Sequence, residues 1–183
     1  MANTRWQFRV LVCKGGKMKR LLLTVMTALL LSVSTTWADT AAAYTQDDYS
    51  NALRSGDYAN ALRILQSLAG QEDATAQYNL GVMYKKGLGV AQNDAEAVKW
   101  WRLAAAQGVA AAQYNLALTY EKGQGTAQDY VRAYMWFNLG AVSGDAGAAK
   151  SRDIVAKVMT PQQIAQAQKM ARDCQRRNFK GCS

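Results

Sequence analysis

The seventeen residues AQYNLGVMYKKGLGVAQ, beginning at Ala76, return as AQYNLALTYEKGQGTAQ, beginning at Ala112. The offset is 36 residues, without a gap, and it extends past both blocks. Ala61, Ala97 and Ala133 share it, as do Trp100 and Trp136, Gly87 and Gly123, Gly89 and Gly125, and Gly108 and Gly144. Self-similarity at a period of roughly 20–50 residues is the mark of a solenoid, in which each unit buries its apolar face only against its neighbours. Such an architecture favours surface recognition over an enclosed catalytic pocket.

Each unit reads as two helices. The first runs from about Ala74 to Lys86, where Gly87 and Gly89 supply the positive φ of a helix end and a tight loop. Asn93 caps the second, with Glu96 three residues on in a capping-box arrangement, and Gly108 ends it. The next unit repeats the plan from Ala110 to Lys122 and, after the Asp129 cap, to about Ser143 and Gly144. A weaker unit precedes them: Gln46 to Arg54, then YANALRILQSLAG behind the Asp57 cap. A last pair follows, Asp145 to about Met159 and then a long helix opened by Thr160-Pro161 and ending near Arg177. Its polar outer face suits a terminal cap. The expected fold is all-α, a right-handed superhelical solenoid of antiparallel helix pairs with a 36-residue repeat.

Ala76, Leu80 and Tyr84 are four residues apart and share one face of their helix, as do Ala112, Leu116 and Tyr120. Alanines at 97, 104, 105, 133 and 141 let helices approach closely. Trp100, Trp101, Trp136 and Phe137 supply bulk between layers and read as core rather than as a cofactor site.

Residues 1–38 stand apart from this pattern. From Met18, Lys19 and Arg20 precede a largely apolar run from Leu21 to Val33, and Thr36-Trp37-Ala38 offers small residues at the two positions a signal peptidase reads. This is the layout of a secretory signal peptide, with cleavage expected after Ala38 and a periplasmic or secreted destination. The run is short for a membrane span, which needs about 20 residues; an uncleaved anchor is the alternative. Residues 1–17 lie ahead of a complete signal, so translation is expected to begin at Met18.

The formal charge of +9 is concentrated in that leader. Six of the 22 basic residues and none of the 13 acids precede Asp39, which leaves sixteen against thirteen, +3 over 145 residues. Between Lys169 and Ser183 the net charge is +4, so the remainder is near neutral. No basic face runs along the array, which argues against a nucleic-acid partner. The basic tail suits an acidic partner or an anionic surface, or simply complements a helix C-terminus. Histidine is absent, which excludes histidine-based acid–base catalysis and histidine metal ligation. Cys13 goes with the leader; Cys174 and Cys182, close together in an exported chain, read as one disulfide. Two thiolates alone do not fill a tetrahedral metal site. No cofactor is indicated.

The pattern A-x-x-x-L-G-x-x-Y-x-x-G-x-G-V, then an acidic or amide cap, A-x-x-W-W/F and A-A-x-x-G, resembles the Sel-1-like repeat, a relative of the tetratricopeptide repeat. The division is then residues 39–72 as a degenerate first repeat or cap, 73–144 as two repeats, and 145–183 as a capping helix pair with a disulfide-tied tail. The tail MTPQQIAQAQKMARDCQRRNFKGC is similar to the closing segment of small exported bacterial members. Ala117 in place of the glycine matching Gly81, and Thr126 in place of Val90, depart from the pattern and are expected to loosen one turn. The resemblance implies a non-enzymatic scaffold or adaptor for protein–protein contacts. Some exported relatives carry a disulfide in each repeat and are linked to β-lactam binding; this chain lacks those cysteines and a Ser-x-x-Lys motif. A cell-wall or β-lactam-processing enzyme, and a structural subunit of an envelope complex, are the other readings.

At 100° per residue, Tyr78, Asn79, Val82, Lys85 and Lys86 share one arc of the first helix, and Tyr114, Asn115, Leu118, Glu121 and Lys122 that of its copy. If this row lines the concave surface, as in the tetratricopeptide fold, Tyr78, Asn79, Val82, Tyr114, Asn115 and Leu118 are the expected contacts for a protein or peptide partner in the cell envelope. Tyrosine brings apolar area with a polar tip, and asparagine bonds an extended backbone. The same residues would also recur if they packed against neighbouring units.

Overall fold

The computed structural model of the chain describes residues 44–182. The expected leader over residues 1–38 lies outside them. The described residues form eight helices and no strand: α1 (Gln46–Arg54), α2 (Tyr58–Gly70), α3 (Ala74–Lys86), α4 (Asp94–Ala106), α5 (Ala110–Lys122), α6 (Tyr130–Val142), α7 (Ala146–Ala156) and α8 (Pro161–Arg176). Each helix packs on the next through α7, and α8 folds back onto α6. The result is an all-α solenoid of helix pairs.

Local chemistry sets the helix ends. Asp57, Asp73, Asn93, Asp129 and Asp145 each accept a hydrogen bond from the backbone amide three residues on. Thr45 and Thr160 form full capping boxes with Asp48 and Gln163. The box expected at Asn93 is only half made. The Asn93 amide already donates to the Tyr84 carbonyl at 2.9 Å, so Glu96 has nothing to accept and pairs with Lys99 instead. Asp129 repeats this, its amide donating to the Tyr120 carbonyl at 2.9 Å. These bonds satisfy carbonyls that a helix end would otherwise leave open.

Two glycine positions explain the period. Gly89 (φ 68°) lies against the Tyr58 carbonyl and the Ala59 amide, and Gly125 (φ 72°) against the Asp94 carbonyl and the Ala95 amide. Each loop therefore seats its main chain on the first turn of the second helix of the preceding unit, at a separation no Cβ would allow. The anticipated loosening at Ala117 and Thr126 does not occur: Gly87 and Gly123 close their helices at φ/ψ of 67°/35° and 67°/31°.

The core alternates small and large side chains. Ala61, Ala76, Ala97, Ala104, Ala105, Ala112 and Ala133 are fully buried, with Leu80, Leu116, Leu139 and Phe137 filling the space between them. Gln77 and Gln113, 36 residues apart, are buried among them, as is Thr119. The two glutamine side chains donate to the carbonyls of Ala69 and Ala105, at 3.4 and 3.2 Å, and so fasten each first helix to the end of the helix before it. At the far end Cys174 and Cys182 form a disulfide, and both residues are buried. The bridge holds Phe179 across Gly108, so the tail reaches from α8 back to the end of α4.

Candidate functional site

Because α3 packs on α2 and α4, and α5 on α4 and α6, the two first helices leave a groove between them. Its volume is about 310 Å³. Tyr78, Val82, Lys85 and Lys86 form one wall, from α3; Asn115, Leu118, Thr119 and Lys122 form the other, from α5. Trp101 of α4 lies beneath, and Gln124 of the following loop closes one end. Tyr78, Val82 and Lys86 follow one another at i, i+4 and i+8, and Leu118 and Lys122 at i and i+4, so each wall is a single helical stripe.

Four of the six expected contacts, Tyr78, Val82, Asn115 and Leu118, meet in this groove. Asn79 is half-buried and outside its lining. Tyr114 belongs to the next joint: its ring lies 5.7 Å from that of Phe137, and a Cβ built at Gly147 would sit 3.6 Å from its edge. Tyr114 is thus engaged in stacking α5 against α6 and α7. Trp101, read from the sequence as core, is both core and groove floor, and its Nε1 donates to the Tyr78 carbonyl at 3.2 Å. The lysines were present in the sequence arc but lacked an apolar or hydrogen-bonding argument of their own. Spacing four residues on from Val82 and Leu118 is the signal that would have found them.

The groove carries positive charge at one end. Lys85 Nζ lies 3.0 Å from Asp94 Oδ2 and donates to Gln124 Oε1 at 3.0 Å, so its charge is neutralised and its position fixed. Lys86 and Lys122 take part in none of the ion pairs among the described residues. Beyond the opposite end, Tyr49 of α1 stands near Tyr78. Burial first, and then the Tyr78 phenol, raises the Tyr49 hydroxyl above the ordinary tyrosine value. Among the described residues no cluster of His, Cys, Asp and Glu could hold a metal ion, and no helix is long and apolar enough to cross a membrane.

Stacked helix pairs at a fixed period, joined by capped glycine loops and leaving a groove between successive first helices, define an α-solenoid repeat protein. Residues 74–109 and 110–145 each match the Sel1 repeat model, so the chain contains two Sel1 repeats. Two solved structures are similar. One is a protective antigen present in uropathogenic Escherichia coli strains and displaying an SLR fold. It is 28% identical with a TM-score of 0.68, over 73% of this chain and 30% of that one. The other is a Sel1 repeat protein from Oxalobacter formigenes, 36% identical with a TM-score of 0.54, over 57% of this chain and 43% of that one. The match therefore spans less than half of either protein's length. No curated protein sequence matches the chain. Sel1-repeat proteins are generally protein-interaction scaffolds.

Proposed function

We propose that this chain is an exported, non-enzymatic scaffold that binds an extended segment of a protein partner in the groove between α3 and α5. The observation that carries the reading is the convergence of Tyr78, Val82, Asn115 and Leu118 on one groove. An apolar floor with a few placed polar groups is the usual make-up of a binding site. The side chain of Asn115 offers both a donor and an acceptor to a peptide backbone. Export is supported by the three-part leader ending at Ala38 and by the Cys174–Cys182 disulfide, which belongs to an oxidising compartment. The absence of histidine and the scaffold character of Sel1 repeats support a non-enzymatic role.

The test is crosslinked affinity capture from a cell-envelope extract, with a Tyr78→Ala/Asn115→Ala variant alongside. A partner enriched by the wild type and lost from the variant supports the reading. A partner retained by the variant moves the site away from this groove. Nothing enriched in either sample overturns the scaffold reading.

A further inference from the structure

The two ends of the groove differ in chemistry, and the difference specifies what can lie in it. Tyr78, Val82, Trp101 and Leu118 make one end apolar; Lys86 and Lys122 make the other cationic. No carboxylate lines the groove, and Asp94, which borders it, is spent on Lys85. The charge is local: residues 39–168 are near neutral as a whole. Two uncommitted ammonium groups on facing helices, four residues beyond an apolar stripe, lack their counter-charge among the described residues.

We infer that the groove takes an acidic peptide segment, an aliphatic side chain seated over Trp101 and a following Asp or Glu between Lys86 and Lys122. This rests on the peptide-groove reading above and specifies its ligand. The spacing follows from helix geometry. Tyr78 and Lys86 are eight residues apart on α3, about 12 Å at 1.5 Å per residue. An extended peptide covers that distance in about three to four residues at roughly 3.3 Å each, and the roughly 6 Å from Val82 to Lys86 in about two. The acidic residue therefore falls two to four positions after the aliphatic one. A volume of about 310 Å³ is at the lower bound of small-ligand sites, roughly 300–1,000 Å³, and limits the buried portion to a short stretch. Facing charges across such a contact govern selectivity and salt dependence more than raw affinity.

The experiment is selection from a random octapeptide display library against the oxidised protein. Parallel selections use Lys86→Glu/Lys122→Glu, Lys86→Gln/Lys122→Gln and Val82→Ser/Leu118→Ser, each checked by circular dichroism for native helix content. The expected result is enrichment of peptides with an aliphatic residue followed two to four positions later by Asp or Glu. Their affinity falls about tenfold in the Lys→Gln variant, falls with added salt, and gives way to basic peptides in the Lys→Glu variant. Enriched peptides without an acidic bias, or acidic ones bound equally by the lysine variants, overturn the charge assignment while leaving a peptide groove. No enrichment by the wild type, or enrichment that survives Val82→Ser/Leu118→Ser as well, overturns the groove itself.

Discussion

Gly81 lies directly under the indole of Trp101: a Cβ built on it would fall 2.5 Å from both Cδ1 and Nε1 of the ring. In the second repeat the same two positions hold Ala117 and Phe137, both fully buried. The family-pattern glycine and the larger ring are thus exchanged together, a methyl gained on one helix as the ring opposite it shrinks.

Gly81→Ala is therefore expected to destabilise the fold by about 1–3 kcal/mol through overpacking. Trp101→Phe alone opens space and loses the bond to the Tyr78 carbonyl. The double variant reproduces the second repeat and recovers most of the loss. Urea unfolding of the four proteins gives the coupling directly, and purely additive effects would refute the compensation.

A second prediction concerns Glu72. It has φ of 64°, while Gly108 and Gly144, one and two periods later, have 84° and 99°. The left-handed region costs a residue with a Cβ about 1 kcal/mol or more. Glu72→Gly is expected to raise stability by up to that amount, less the added entropy of the unfolded chain. An unchanged or lower unfolding midpoint would count against strain at this joint.

The two buried glutamines give a third. Gln77 accepts a bond from Gln107 at 2.9 Å, but the position 36 residues after Gln107 is Ser143, and Gln113 Oε1 is buried without a partner. Ser143→Gln would supply the missing donor. A gain of about 1 kcal/mol is expected, in line with a single buried hydrogen bond, read as a shift in denaturant midpoint. Gln107→Ala should cost a comparable amount by making the first repeat resemble the second.

These three cases show where the sequence was legible and where it was not. The helix boundaries, the caps at Asp57, Asn93 and Asp129, and the pairing of Cys174 with Cys182 followed from local rules, since each depends on residues close in the chain. Tyr114 and Asn79 did not separate from Tyr78 and Asn115 by periodicity, because Tyr78 and Asn79 occupy the same arc of one first helix as Tyr114 and Asn115 of the next. Which of them faces the groove depends on what the next unit presents: Phe137 and Gly147 draw Tyr114 into the following joint. The groove itself arises between two stripes, so no single helix declares it.

The tail provides a fourth prediction. The eight-residue separation of Cys174 and Cys182 corresponds to about 2–3 kcal/mol of loop-closure stabilisation. Reduction, or Cys174→Ser/Cys182→Ser, should release Phe179 from Gly108 while leaving α3 to α6 folded. Hydrogen exchange is expected to rise over residues 175–182 and to stay unchanged over 74–142. Loss of protection throughout would show that the bridge supports the whole array.

Acid should act on the same region. Asp173 is held below the ordinary carboxylate value, chiefly by the hydrogen bond from Lys169, with Lys169, Arg176 and Arg177 adding charge. A lowered value stabilises the fold above the unfolded carboxylate pKa of about 3.9, and that contribution fades as pH falls through the still lower folded value. Asp173 is only partly screened from solvent, so the effect is small. Asp173→Asn should be slightly less stable than wild type at pH 7, by a margin that narrows as pH is lowered below the unfolded carboxylate value. A difference that does not narrow with acid would exclude the ionic explanation.

The seating of Gly89 on Tyr58 and Ala59, and of Gly125 on Asp94 and Ala95, is a contact of main chain with main chain. Such a joint is indifferent to which side chains surround it. A tandem copy of one 36-residue unit would bring its own glycine to place on the unit before, and its own helix start to receive the unit after. The array can therefore lengthen by duplication, because each added unit carries both halves of this main-chain joint with it.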